Sequence, residues 1–168
     1  MQKPQVAILM GSKNDLPVVQ GAFPIFDRFG IGYEVHAISA HRTPVQACDF
    51  ATMAEARGFK VIICAAGMAA HLGGVVAAHT TLPVIGIPIA SEPFNGLDAL
   101  FSIVQMPPGI PVAAVTAGKA GGKNAALYAV AILALASPGI AAELKKFRAE
   151  QTEQVLKADA ELQAELAR

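Results

Sequence analysis

Gln5-Val6-Ala7-Ile8-Leu9-Met10-Gly11-Ser12-Lys13-Asn14-Asp15 is the stretch on which the fold turns. Val6 to Met10 is an unbroken apolar run, and Gly11-Ser12 ends it. A strand buried on both faces reads this way, so it belongs in the middle of a parallel sheet. Asp15 is placed to cap a helix whose apolar positions Val18, Ala22, Ile25, Phe26 and Phe29 recur at helical spacing up to Gly30. Pro24 inside it predicts a kink.

The same alternation continues downstream. Strands are expected at Tyr33 to Ser39, Lys60 to Ala66, Val84 to Ile89 and Val112 to Ala117. Between them the spacing predicts helices at Pro44 to Arg57, Ala69 to Ala78 and, in shorter form, Leu97 to Gln105. Right-handed crossovers between such strands give a three-layer α/β/α sandwich, a flavodoxin-like parallel five-stranded sheet in the order 2-1-3-4-5 with a C-terminal helical extension. The segment from Gly121 to Ala136 is apolar nearly all round and must be covered on more than one side, which argues for a homo-oligomer. The more charged tail carries Leu144, Phe147, Val155, Leu162 and Leu166 as an intermittent stripe. The reading is one α/β domain over 1–168, with 138–168 as a helix packing on neighbouring subunits.

Composition narrows the function classes. The chain has 168 residues, 54% apolar and 15% charged, which excludes disorder and points to a well-filled core or large subunit contacts. Its 13 basic and 13 acidic residues balance, so no surface for nucleic acid or an anionic membrane is expected. The apolar run Ala125 to Ala136 is too short to span a bilayer. Cys48 and Cys64 lack metal-ligand spacing and read as free thiols, and the chain reads as cytoplasmic.

In an open parallel sheet the ligand binds beyond the carboxyl ends of the strands, near the point where strand order reverses. Three loops meet there: Gly11 to Asp15, Ser39-Ala40-His41-Arg42-Thr43-Pro44, and Ala66-Gly67-Met68-Ala69-Ala70-His71-Leu72-Gly73-Gly74. The first suits a phosphate, with Ser12 and free N–H groups at a helix start, while Asp15 is either a cap or a partner for a sugar hydroxyl. Arg42 supplies a planar fork for phosphate beside His41, an imidazole able to exchange protons. His71 sits among small residues that leave room for a ligand; burial as a packing residue is the competing reading. His36 and His79 read as structural, and Lys119, Lys123 and Asn124 as capping or solvated groups with a possible reach to substrate. No metal-site, Walker, dinucleotide or nucleophile-elbow pattern is present.

These loops resemble the family of N5-carboxyaminoimidazole ribonucleotide mutases and aminoimidazole ribonucleotide carboxylases. The matching stretches are Met10 to Asp15, Ser39 to Pro44, Ala69-Ala70-His71-Leu72, Ser102 to Pro107, Gly109 to Val112 and Asn124 to Leu127, spread over nearly the whole chain. The resemblance implies a purine-biosynthesis enzyme without cofactor or metal that moves a carboxylate from the exocyclic nitrogen to ring carbon C4, giving 4-carboxy-5-aminoimidazole ribonucleotide. It implies Ser12 and Arg42 on the phosphate, Asp15 on a ribose hydroxyl, and Ser39, Ala40, Gly67, Ala70 and Leu72 lining the site. His41 would be the general acid/base, with His71 beside it. An octamer is implied, together with coupling to an ATP-dependent synthetase that supplies the carbamate. Arg42 after His41, and the presence of His71, are similar to the mutase class rather than the class that carboxylates with free CO2. Gly73, Met68 and Ser91 to Gly96 depart from the mutase pattern, the last being similar to the direct carboxylases. A non-catalytic nucleotide or flavin binder on the same fold is the rival from another class, although a chain with two Tyr and no Trp offers little for flavin stacking.

Overall fold

In a computed structural model that describes residues 3–167, the apolar run near the amino terminus is strand β1, Val6–Met10, and every one of its side chains is buried. It lies between β2 (Tyr33–Ala37) and β3 (Val61–Gly67), both parallel to it, with Val6 opposite Tyr33 on one side and Val61 on the other. Next come β4 (Val84–Ile89) and a two-residue β5 (Ala113–Ala114), completing the order β2-β1-β3-β4-β5. The expected flavodoxin-like sheet is therefore present. β5 is shorter than the Val112 to Ala117 expected, because its ladder holds only Ile85↔Ala113 and Gly86↔Ala114. Arg168, the end of the expected tail, lies outside the described residues.

Successive side chains of a strand point to opposite faces, so each strand feeds two cores. Ala7, Leu9, Ile62 and Cys64 meet Ala47, Phe50, Ala51 and Ala54 of α3 (Pro44–Arg57), Leu72 and Val76 of α4 (Leu72–Ala77), and Ala99 and Ile103 of α5 (Leu97–Val104). Full burial of each large aliphatic here stabilises by about 1.5–3 kcal/mol. Gly86 belongs to this face; a Cβ there would stand 2.5 Å from Ile103 Cγ2, so α5 packs directly on strand backbone. On the other face, α6 (Lys119–Ala134) brings Gly121 against Ile87 and Gly122 against the Val18 carbonyl. Cys64 is wholly buried and desolvation pushes its thiol up, which keeps it protonated and inert.

The first helical segment departs from one kinked helix. Lys13–Asp15 form a 3-10 turn, then come α1 (Leu16–Val19), a second 3-10 turn (Gln20–Ala22) and α2 (Phe23–Arg28). Pro24 sits in the first turn of α2, where its missing N–H costs nothing, so the ring starts a segment where a kink was expected. Ser12, at φ −149° and ψ 149°, is the N-cap of the first 3-10 turn, while Asp15 stands at the N-cap position of α1, as expected, but makes no side-chain capping bond to that helix. Helix α3 ends as expected at Gly58, whose φ of 98° suits glycine.

The chain divides into two compact units between Ala129 and Val130. The second contains α7 (Pro138–Leu166), started by Pro138 after the extended Ser137. Val155, Leu156, Leu162 and Leu166 of α7 are exposed. Among the described residues no helix is long and apolar enough to cross a membrane.

Candidate active site

A cavity of about 580 Å³ opens at the carboxyl ends of β1 to β4. Nine of the ten residues singled out from sequence line it: Ser12, Asp15, Ser39, Ala40, His41, Arg42, Gly67, His71 and Leu72. Ala70 does not. Its methyl is packed in the core, 1% exposed, so it supports the third loop from beneath and offers the ligand no side chain.

The first loop is held by reciprocal capping. Asn14 N–H donates to Ser12 Oγ at 3.2 Å, and Ser12 N–H donates to Asp15 Oδ2 at 3.0 Å. Asp15 thus has both roles that the sequence left open, a helix-start contact and a place on the cavity wall. Burial raises its carboxyl above the ordinary 3.8, against the lowering pull of the Ser12 N–H and the Arg42 charge.

The second loop is built round Ser39. Thr43 N–H and Oγ1 both donate to the Ser39 carbonyl, at 2.9 and 3.0 Å, and Ser39 N–H donates to Thr43 Oγ1 at 2.9 Å. Ser39 Oγ accepts from Arg42 N–H at 3.2 Å and from Arg42 Nε at 3.4 Å. A second guanidinium nitrogen of Arg42 donates to the Gly11 carbonyl at 2.6 Å. That bond ties loop 2 to loop 1, and both guanidinium partners are neutral oxygens, so the positive charge stays available to an anion.

The third loop ends β3. Gly67 sits in a tight place, since a Cβ there would come within 3.2 Å of the Ile89 carbonyl. Met68 follows at φ 55°, in the left-handed region that favours glycine, and lines the cavity with 62% of its surface exposed. Helix α4 begins at Leu72 rather than Ala69, which leaves His71 as its N-cap. His71 Nδ1 lies 2.9 Å from His41 Nε2, with the rings edge to face at 78°. One of these nitrogens donates and the other accepts, so the pair can be neutral or carry one extra proton; a second would remove the lone pair the contact needs.

Sequence reasoning found the fourth strand but did not place its exit in the site. Ile89 and Ser91 line the cavity, and Ser91 Oγ is buried without a hydrogen-bond partner. An unmatched buried hydroxyl costs about 1–3 kcal/mol. The signal that could have found them is the rule that ligands sit at strand carboxyl ends, which holds for β4 as well as for the first three strands. Lys119, Lys123 and Asn124 do not line this cavity. Asn124 Nδ2 instead donates to Thr116 Oγ1 at 2.9 Å. His36 donates to Glu34 on β2 and His79 to the Val75 carbonyl, both structural contacts as expected. Among the described residues no group of three His, Cys, Asp or Glu stands close enough to hold a metal ion.

The Arg42 fork, a bonded imidazole pair and a small-residue wall at the switch point of a flavodoxin-like sheet are features of a small-molecule site in an α/β protein. The family model for AIR carboxylase matches residues 5–154, and the chain belongs to that family. Proteins named N5-carboxyaminoimidazole ribonucleotide mutase are among its relatives. That of Pyrococcus abyssi is 56% identical over 86% of this chain and 82% of its own, and that of Vibrio vulnificus 51% over 90% and 94%. The crystal structure of Treponema denticola PurE superposes with a TM-score of 0.85 at 32% identity, covering 95% of this chain and 98% of that one.

Proposed function

We propose that the protein is an N5-carboxyaminoimidazole ribonucleotide mutase of purine biosynthesis. The observation that carries the reading is the 2.9 Å contact between His41 and His71 in a cavity whose other end holds Ser12, Asp15 and Arg42. The phosphate sits on Ser12 and Arg42, and a ribose hydroxyl on Asp15. Ser39, Ala40, Gly67 and Leu72 frame the ring.

His41 is the general acid/base. The protonated pair gives a proton to the exocyclic nitrogen as its bond to the carboxyl carbon breaks, releasing CO2 into the cavity. Carbon C4 then attacks that CO2, and the proton it sheds returns to His41, so the pair ends as it began. His71 holds the His41 ring and spreads the charge. Keeping CO2 against the ring makes its recapture effectively intramolecular, which favours a pocket that excludes water. No cofactor or metal is called for.

The names of the relatives support the carbamate as carboxyl source. In one assay, freshly made carbamate is compared with aminoimidazole ribonucleotide plus bicarbonate, following 4-carboxy-5-aminoimidazole ribonucleotide spectrophotometrically. Turnover from carbamate alone is expected; turnover from aminoimidazole ribonucleotide at modest bicarbonate identifies a direct carboxylase, and no turnover in either arm ends the enzyme reading.

The reading extends to a cytoplasmic homo-octamer fed by an ATP-dependent, carbamate-forming synthetase, with residues 138–168 packed on neighbouring subunits. The exposed Val155, Leu162 and Leu166 at helical spacing support that packing. Light scattering on the purified protein checks the subunit number.

A further inference from the structure

Ser91 stands at the far side of the cavity from the anion cradle. The sheet order puts β1 and β3 between β2, which leads to Arg42, and β4, which leads to Ser91. Three strand spacings separate those exits, about 14 Å in all. A nucleotide whose phosphate rests on Ser12 and Arg42 therefore directs its ring toward the exits of β3 and β4.

The wall around those exits is Ala66, Gly67, Met68, Ala69 and Ile89, none of which has a hydrogen-bonding side chain beyond the weak thioether acceptor. Ser12 and Ser39 are on the first two loops, Arg42 is tied to Gly11 and Ser39, and His41 is engaged with His71. The Ser91 hydroxyl lines the same cavity, is screened from solvent, and has no partner among the described residues. A buried hydroxyl in a ligand cavity with no partner of its own is matched to a group on the ligand. The ligand group most in need of a donor at this end is a carboxylate, which leaves water on entering an apolar pocket.

We infer that Ser91 is a specificity residue that donates a hydrogen bond to the carboxyl group on the aminoimidazole end of the substrate. The inference rests on the substrate class proposed above and adds a residue that favours carboxylated over uncarboxylated ligand. The hydroxyl transfers no proton in the reaction.

The test is calorimetric titration of the wild type, Ser91→Ala and Ser91→Thr with two ligands, 4-carboxy-5-aminoimidazole ribonucleotide and aminoimidazole ribonucleotide. Ser91→Ala is expected to bind the carboxylated ligand about tenfold or more weakly, as befits a lost charge-assisted hydrogen bond. Its affinity for the uncarboxylated ligand stays unchanged, Ser91→Thr restores part of the loss, and Tm is equal to or above that of the wild type because an unmatched polar group has gone. Equal weakening for both ligands, or none for either, overturns the assignment while leaving the substrate class standing. Failure of the wild type to bind either ligand overturns both.

Discussion

The two ends of the sheet carry cavities that differ in what converges on them. The one at the amino-terminal end is larger, about 870 Å³, and is lined by Thr52, Glu55, His79 and Thr80 among others. Yet His79 is bonded to the Val75 carbonyl of its own segment. At the carboxyl end about 580 Å³ is enclosed by loops bonded to each other, Arg42 to Gly11 and His41 to His71. The polarity of the backbone explains the contrast. Loops leaving parallel strands run into helix starts with free N–H groups, whereas loops entering them come from helix ends rich in carbonyls. An anionic ligand therefore meets free backbone N–H groups at one end only, a difference that volume alone does not reveal.

The largest effect that can break this comparison is His41→Asn, expected to keep assembly and to lower turnover by about a thousandfold or more. His79→Asn in the larger cavity leaves kcat unchanged; steady-state assays of both decide it, and an active His41→Asn removes the proton-transfer assignment. Arg42→Lys keeps the charge but loses the fork that joins loop 1 and, in the proposed reading, receives phosphate. KM should rise by about ten- to a hundredfold with a smaller change in kcat.

Asp15→Asn produces a smaller change, visible against pH. The Asp15 carboxyl is raised in the folded protein, so the folded state favours the proton and the wild type loses stability as pH climbs through 3.8 to the folded value. Tm of the variant relative to the wild type should thus improve as pH rises across that window, with KM worsened at neutral pH. A pH-independent Tm difference would show that burial does not raise this carboxyl.

Glu34 on β2, away from both cavities, gives the smallest effect and the opposite sign. The hydrogen bond from His36, and after it the pairing with Arg57, hold its carboxyl below 4.5. Its stabilisation is present above 4.5 and fades as pH falls through the folded value. Glu34→Gln should lose well under about 1 kcal/mol at neutral pH, a deficit that disappears in acid, with activity untouched. Thermal melts from pH 3 to 7 and a single activity assay suffice.

The strands were readable because β1, β3 and β4 are buried on both faces and their apolar runs are nearly unbroken. Most of the wall was readable too, since a switch point places loops by topology alone. Finer local features were not. Ser12 caps the 3-10 turn from extended backbone, whereas Asp15 heads α1 in helical backbone and turns its carboxylate back to the Ser12 N–H, a division that only the backbone angles decide. The resemblance put Ala70 on the wall, but it lies in the irregular stretch before His71, the N-cap of α4, and there its methyl turns into the core.

By itself, the sequence determined the alternation of strands and helices, the parallel sheet and the identity of the polar residues at its carboxyl edge. Burial pattern, helical period and turn chemistry are local properties that a chain carries before it folds. The tertiary structure alone decided that His41 bonds His71, 30 positions away, that Arg42 reaches the Gly11 carbonyl, and that Ser91 completes the wall. Those pairings depend on ångström-scale distances between loops set by the packing of separate strands, and no local pattern in the chain records them.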